Sequence, residues 1–319
     1  MISKAFAMAA KSKDAAGGMA DANREYYSEK GKAIYSDFST FAQGSAIATS
    51  NAIEFVKNFA NTDGVITVCE YGIGNGNFAK VFLDELSIRS PTLYARTRYH
   101  LLDISEKMIG DARKSLAKHE SKCEFHKFDA SVELPSMPFD YCRINELLSD
   151  LPAEIYMRKN GGIFTSDGKA VPHPPLFAAK FLERIERERL IPFSYVAQDF
   201  LIALCKCGKP GFRADIFDYG FYTAEDIFLL PLDEWNRLVV REYGTQITVD
   251  LNFLQLSSAI LAQGFSTHVE MQKDYCERAL GMPLTLSQTA RGLDYVKKKE
   301  MDGISEDDGF YHLRISGQI

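Results

Sequence analysis

The chain has 319 residues, enough for one large α/β unit with insertions or for two smaller domains. An apolar share of 46% and a charged share of 25% are those of an ordinary globular protein, and a net charge of −6 without a long basic run argues against nucleic acid as a partner. No apolar run approaches the ~20 residues that span a bilayer, so no membrane partner is expected either.

The first eighteen residues are rich in Lys and small side chains but carry Asp14 and no Arg before Arg24, a weak match to a targeting segment. Residues 26–38, Y-Y-S-E-K-G-K-A-I-Y-S-D-F, are dense in aromatics. They read either as a lid, with Tyr26 and Tyr27 as cation–π partners for a bound cation, or as plain core packing. A buried strand follows, marked by Val65, Ile66 and Val68 and ending at Glu70. Gly72, Gly74 and Gly76 come next, then a helix-period apolar set of Phe78, Ala79, Phe82, Leu83 and Leu86. Strand, glycine turn and helix let a backbone approach a nucleotide-like ligand closely.

The alternation continues with strands at 99–103, 123–128 and 138–144, and a helix capped by Ser105. Loop punctuation fills 161–175, helices are expected at 176–190 and 195–205, and a further strand at 212–217. A β-rich insertion spans about 222–252 and a helix spans 253–262, with Gly264 following its C-terminus. Strands near 266–271 and 310–316 would close the edge as an antiparallel hairpin. This is the pattern of a doubly wound, mostly parallel α/β sheet with helical and β insertions. The expected divisions are an N-terminal helical or lid segment (1–60), a ligand-binding half of the core (61–160), a helical insertion (161–208) and the rest of the core (209–319).

Ligands of such sheets bind beyond the carboxyl ends of the strands. Glu70, Asp103, Asp129, Glu146 and Asp218 all fall there, one after each strand. A dinucleotide fingerprint would put its third glycine at 77, which is Asn77. G-x-G-x-G with an acid two residues before it instead resembles motif I of class I S-adenosylmethionine (AdoMet) methyltransferases. A carboxylate at Glu70 suits a sulfonium or an α-amino group better than pyrophosphate. Asp103 is placed to accept both ribose hydroxyls, next to Ile104. Asp129 would meet the adenine amine, with small Ala130 leaving room for the ring, or it is simply a turn residue at a strand end. In R-I-N-E-L-L-S-D-L-P, residues 143–152, a helix would place Glu146 and Asp150 on one face, where they could orient a cationic acceptor such as a guanidinium. The other reading has Asn145 and Glu146 holding the methionine end of the cofactor.

Several segments in this order resemble the MidA-like AdoMet-dependent methyltransferases, a family that includes a mitochondrial complex I assembly factor. They are Y-Y-S-E-K-G at 26–31 with D-F at 37–38, E-Y-G-I-G-N-G-N-F-A at 70–79, L-L-D-I-S at 101–105, I-N-E-L-L-S-D-L-P at 144–152, F-D-Y-G-F at 217–221 and T-Q-I-T-V-D-L-N-F at 245–253. The sequence departs from the family at Ile73, where Pro is favoured, at Asp103, which replaces Glu, at Asp150, shifted by one position, and at Asn252, in place of a second acid. The resemblance implies arginine methylation of a protein partner. A small-molecule methyltransferase and a non-catalytic AdoMet-binding assembly factor are the alternatives.

The six cysteines, at 69, 123, 142, 205, 207 and 276, form no C-x-x-C pair, so no metal site is expected and the chain reads as a cytoplasmic protein from a reducing compartment.

Overall fold

The computed structural model describes residues 15–37, 39–185, 188–289, 292–299 and 309–317. The start of the expected targeting segment and Phe38 of the aromatic stretch lie outside them.

In chain order the elements are α1 (Ala15–Lys30), α2 (Ala46–Phe59), β1 (Ile66–Tyr71), α3 (Asn77–Arg89), α4 (Pro91–Arg96), β2 (Thr97–Asp103), α5 (Glu106–Ser115), β3 (Cys123–Lys127), β4 (Phe139–Asn145), β5 (Glu154–Lys159), β6 (Gly162–Thr165), α6 (Leu176–Leu182), β7 (Ile191–Phe193) and α7 (Tyr195–Cys207). Then come β8 (Gly208–Phe221), α8 (Ala224–Phe228), α9 (Leu232–Leu238), β9 (Val240–Tyr243), β10 (Gln246–Val249), β11 (Leu251–Asn252), α10 (Phe253–Ala262), β12 (Ser266–Met271), α11 (Gln272–Leu280), β13 (Leu284–Thr289), β14 (Gly292–Lys297) and β15 (Phe310–Ser316).

The main sheet runs β12-β15-β8-β4-β1-β2-β3, with β11 pairing β8 at one end. Strands β3, β2, β1, β4 and β8 are parallel, while β15 and β12 are antiparallel. The order reverses between β1 and β4, where a crevice must open at the carboxyl edge. Apolar residues cover both faces: Phe55, Phe82 and Leu86 from α2 and α3 pack one side, and Phe200, Leu204 and Leu256 from α7 and α10 pack the other. Two-sided burial makes β1 largely apolar along its length, whereas the edge strand β3, C-E-F-H-K, is only partly buried and alternates.

Four expectations about the fold need correction. Val65 is not part of the buried strand; it precedes β1 and is 58% exposed. The insertion at 161–208 is not simply helical. Its expected loop contains β6, which pairs with β5, and β5 pairs with β7 to form a three-stranded sheet. The expected helix at 176–190 ends at Leu182, with Glu183 as its C-cap, and Phe181, Leu182 and Ile185 are buried with Phe193 and Trp235 against the small sheet.

The closing strands fall at 266–271 and 310–316, but no simple hairpin joins them. Between them lie α11 and the β13–β14 hairpin. That hairpin packs against the N-terminal segment: Phe41 stacks on Tyr295, with ring centroids 4.7 Å apart, and Leu293 N–H donates to Thr40 O at 3.1 Å. The N-terminal segment is thereby fixed over the crevice.

Candidate active site

At the carboxyl edge of β1, β2, β4 and β8 lies a cavity of about 650 Å³, lined by residues from Ala20 to Tyr311. Of the residues singled out by sequence, Glu70, Gly72, Gly74, Asp103, Ile104, Asp129, Ala130, Asn145, Glu146 and Asp150 all line it. Gly76 does not. It stands at φ +76° ahead of α3, where an added Cβ would come within 2.9 Å of Ala112 Cβ, so it serves helix packing.

The glycine turn is shaped by what it excludes. Gly72 and Gly74 have positive φ, and side chains there would press on Leu147 and the Tyr35 hydroxyl. Gly74 N–H donates to Asp103 Oδ2 at 2.9 Å, and Ser105 N–H donates to Oδ1 at 2.9 Å. Ser105 also caps α5, its Oγ accepting from Met108 N–H. Burial nevertheless raises the Asp103 carboxyl to about 6, despite these backbone donors.

Glu70 has a partner the sequence did not suggest. Its Oε2 accepts from Arg143 Nη2 at 2.7 Å and from the Tyr99 hydroxyl, with Glu70 and Arg143 both buried. The Arg143 guanidinium carbon lies 3.4 Å from the centre of the Phe78 ring. Glu70 therefore ties β1 to β4 beneath the turn as well as facing the cavity.

Asp129 is held by helix α1. Arg24 Nε of α1 donates to its Oδ2 at 2.8 Å, and Ser131 N–H and Oγ donate to Oδ1. Burial pushes its pKa up, but these donors outweigh burial and leave it below the ordinary carboxylate range.

Glu146 and Asp150 both reach the cavity, though not from one helix face. Only Leu148–Asp150 forms a short 3-10 turn, and Glu146 sits at φ +46°, in left-handed backbone. Pro152 keeps the turn from lengthening. Glu146 Oε1 accepts from Thr40 Oγ1 and Phe41 N–H, both at 2.9 Å, and from Asn145 Nδ2 at 3.3 Å. Burial raises its carboxyl to about 7. Asp150 accepts from the Tyr27 hydroxyl and from Gln246 Nε2 at 2.9 Å, and burial raises it to about 6. Asn145 lines the same space, and its buried Oδ1 has no partner.

The aromatic segment divides. Tyr27 and Tyr35 line the cavity, while Tyr26 packs with Ile34 and Met108 and donates to Asp37 Oδ2 at 2.7 Å. Helix α1 is clamped by Asn23, whose Nδ2 donates to Ile247 O and Asp150 O and whose Oδ1 accepts from Ile247 N–H. Sequence reasoning missed Arg24, Asn23 and Thr40 as parts of the site, and nothing in their local pattern marks them, whereas Tyr35 belongs to the aromatic stretch and Trp235 to the β-rich insertion already singled out. Asp250 belongs to a segment that was noticed: it lines the cavity and pairs with Arg241 Nη1 at 2.5 Å. Asn252 instead caps α10, accepting from Gln255 N–H. Asp218 is buried outside the cavity lining, accepting from the N–H groups of Ser149 and Tyr219.

The residues present fit AdoMet. Glycines leave a cradle that side chains would fill, the unpartnered Asn145 oxygen suits an ammonium donor, and Asp103 offers a carboxylate to a diol.

Comparison with known proteins agrees. Residues 50–174 match the model of a family described as "Putative S-adenosyl-L-methionine-dependent methyltransferase". No curated protein matches the chain. A Burkholderia thailandensis protein solved with bound S-adenosyl-homocysteine shares 14% identity at a TM-score of 0.62, over 98% of this chain and 93% of that one. A second structure, of a protein also from Burkholderia thailandensis, shares 15% identity at a TM-score of 0.59 with the same coverage. The chain thus has the class I methyltransferase fold. The family match supports AdoMet as cofactor and methyl transfer as the reaction class.

Proposed function

We propose that this chain transfers the methyl group of AdoMet to a nitrogen of a protein side chain, an arginine. The carrying observation is the pair of cavity carboxyls, Glu146 and Asp150, raised by burial to about 7 and about 6. Two acids held at such values favour a cation arriving between them, because a guanidinium stays protonated and restores their charged forms. In the cofactor half, Asp103 would hold the ribose, Asn145 and Glu70 the methionine end, and Asp129 with Ala130 the adenine. Bound AdoMet supplies an electrophilic methyl on a sulfonium. All three bonds to Glu146 fall on Oε1, which leaves Oε2 to orient the acceptor and to take up the proton that a newly methylated nitrogen sheds.

A small-molecule acceptor is the second reading. It is favoured by the roof over the cavity, where Leu229, Leu230 and Trp235 from the insertion meet the N-terminal segment. A cavity of 650 Å³ lies within the ~300–1,000 Å³ typical of small-ligand sites.

Labelled AdoMet supplied with arginine peptides, with the same peptides carrying Lys, and with small nitrogen or oxygen nucleophiles separates these readings. Label in the arginine peptide alone is the expected result. Label only in small nucleophiles favours the second reading, and binding without any transfer favours a non-catalytic factor. In Glu146→Gln, turnover should fall by roughly 10²-fold or more while cofactor affinity changes little.

A further inference from the structure

A second site lies away from the cavity, on the outer strands. His100 of β2 and Glu124 of β3 stand directly opposite each other in the parallel register, and His126 is two residues on along β3. Alternation puts all three side chains on one face of the sheet. His100 Nδ1 is 3.1 Å from His126 Nε2 and 3.5 Å from Glu124 Oε2, and a ligand atom from each of the three residues lies within 4.8 Å of the others.

These separations are those of ligands around one ion. Zinc–ligand bonds of about 2.0–2.1 Å in a tetrahedron put neighbouring donor atoms about 3.3–3.4 Å apart. We propose that His100, Glu124 and His126 bind a zinc-class divalent cation, with water in the fourth position. Imidazole nitrogens with one carboxylate suit such a metal rather than magnesium or calcium, which prefer oxygen. Glu124 Oε1 lies 3.5 Å from Arg98 Nε, so the two carboxylate oxygens divide their work between arginine and metal.

Strand β3 is the edge of the sheet and pairs only with β2 among the described strands. His100 and His126 each stand three positions ahead of a cavity acid, Asp103 and Asp129. An ion shared by the two strands would staple that edge just below the cofactor half of the cavity.

The test is titration of untagged, chelator-stripped protein with zinc chloride against a chromophoric competitor, in wild type, His126→Asn, Glu124→Gln and His100→Ala. One equivalent bound at micromolar Kd or tighter, weakened at least 10-fold in His126→Asn and several-fold in Glu124→Gln, is expected. Cobalt substituted for zinc should give the intense visible bands of a tetrahedral site, lost in His126→Asn. Equal affinity in wild type and both β3 variants would overturn the site, since binding would then belong to cysteines or scattered surface groups. Should His100→Ala fail to fold, the two variants on the more open strand carry the comparison.

Discussion

At the scale of single residues, Asp103, Glu146 and Asp150 are poised rather than simply charged. Replacing Asp103 by Ala removes the carboxylate proposed for the ribose. Charge-assisted hydrogen bonds contribute roughly 1.5–3 kcal/mol each, so calorimetry should show AdoMet affinity falling by one or more orders of magnitude. Glu146 adds a pH signature. Its folded pKa of about 7 lies above its ordinary value of 4.5, so the stability linked to its protonation is present below pH 4.5 and lost as pH rises through 7. Glu146→Gln removes that loss. Without ligand, its melting temperature relative to wild type should therefore rise between pH 5 and pH 8, by on the order of a few degrees. An unchanged difference would place the carboxyl in ordinary solvent. Arg143 gives the opposite kind of prediction: in Arg143→Met the buried Glu70 carboxylate loses its ion-pair partner, and denaturant unfolding should show a loss of about 3–5 kcal/mol.

At the scale of elements, the N-terminal helix is fastened at both ends of the cavity, by Arg24 to Asp129 and by Asn23 and Tyr27 to the Asp150 turn. The Arg24 side chain is 37% exposed, so its ion pair should contribute at most about 1 kcal/mol to stability. Arg24→Ala should leave the melting curve nearly unchanged yet speed release of S-adenosyl-homocysteine in stopped-flow measurements. The strands that build the cavity floor were legible because each carries an apolar stretch ending at or beside an acid, and the glycine turn could be read because backbone sterics demand glycine at Gly72 and Gly74. The contacts of this helix were not legible. They join residues more than a hundred positions apart, such as Arg24 with Asp129, and no local period encodes a meeting at that distance. The Glu146–Asp150 turn shows the same limit from the other side. Spacing suggested a helix face, but left-handed backbone at Glu146 brings the acids into one cavity by another route. The histidines at 100 and 126 also carried no signal alone, since only strand pairing makes them neighbours.

At the scale of the whole molecule, the cavity draws on residues from 20 to 311, so its occupant should stabilise most of the fold together. A ligand present at a hundred times its Kd adds about 2.7 kcal/mol to a state that alone binds it. S-adenosyl-homocysteine at that level should raise the melting temperature by several degrees in a single transition, and a ligand-independent second transition would show that part of the chain unfolds separately.

The order of strands also bears on how the chain is made. β15 lies between β8 and β12, so its seven residues slot into the sheet after both neighbours have left the ribosome. Until residue 316 has emerged, β8 presents an open edge and β12 has no partner in the sheet. Synthesis passes through that state on every copy, and a ribosome that pauses before Phe310 holds out an unpaired strand edge to its neighbours on the same message.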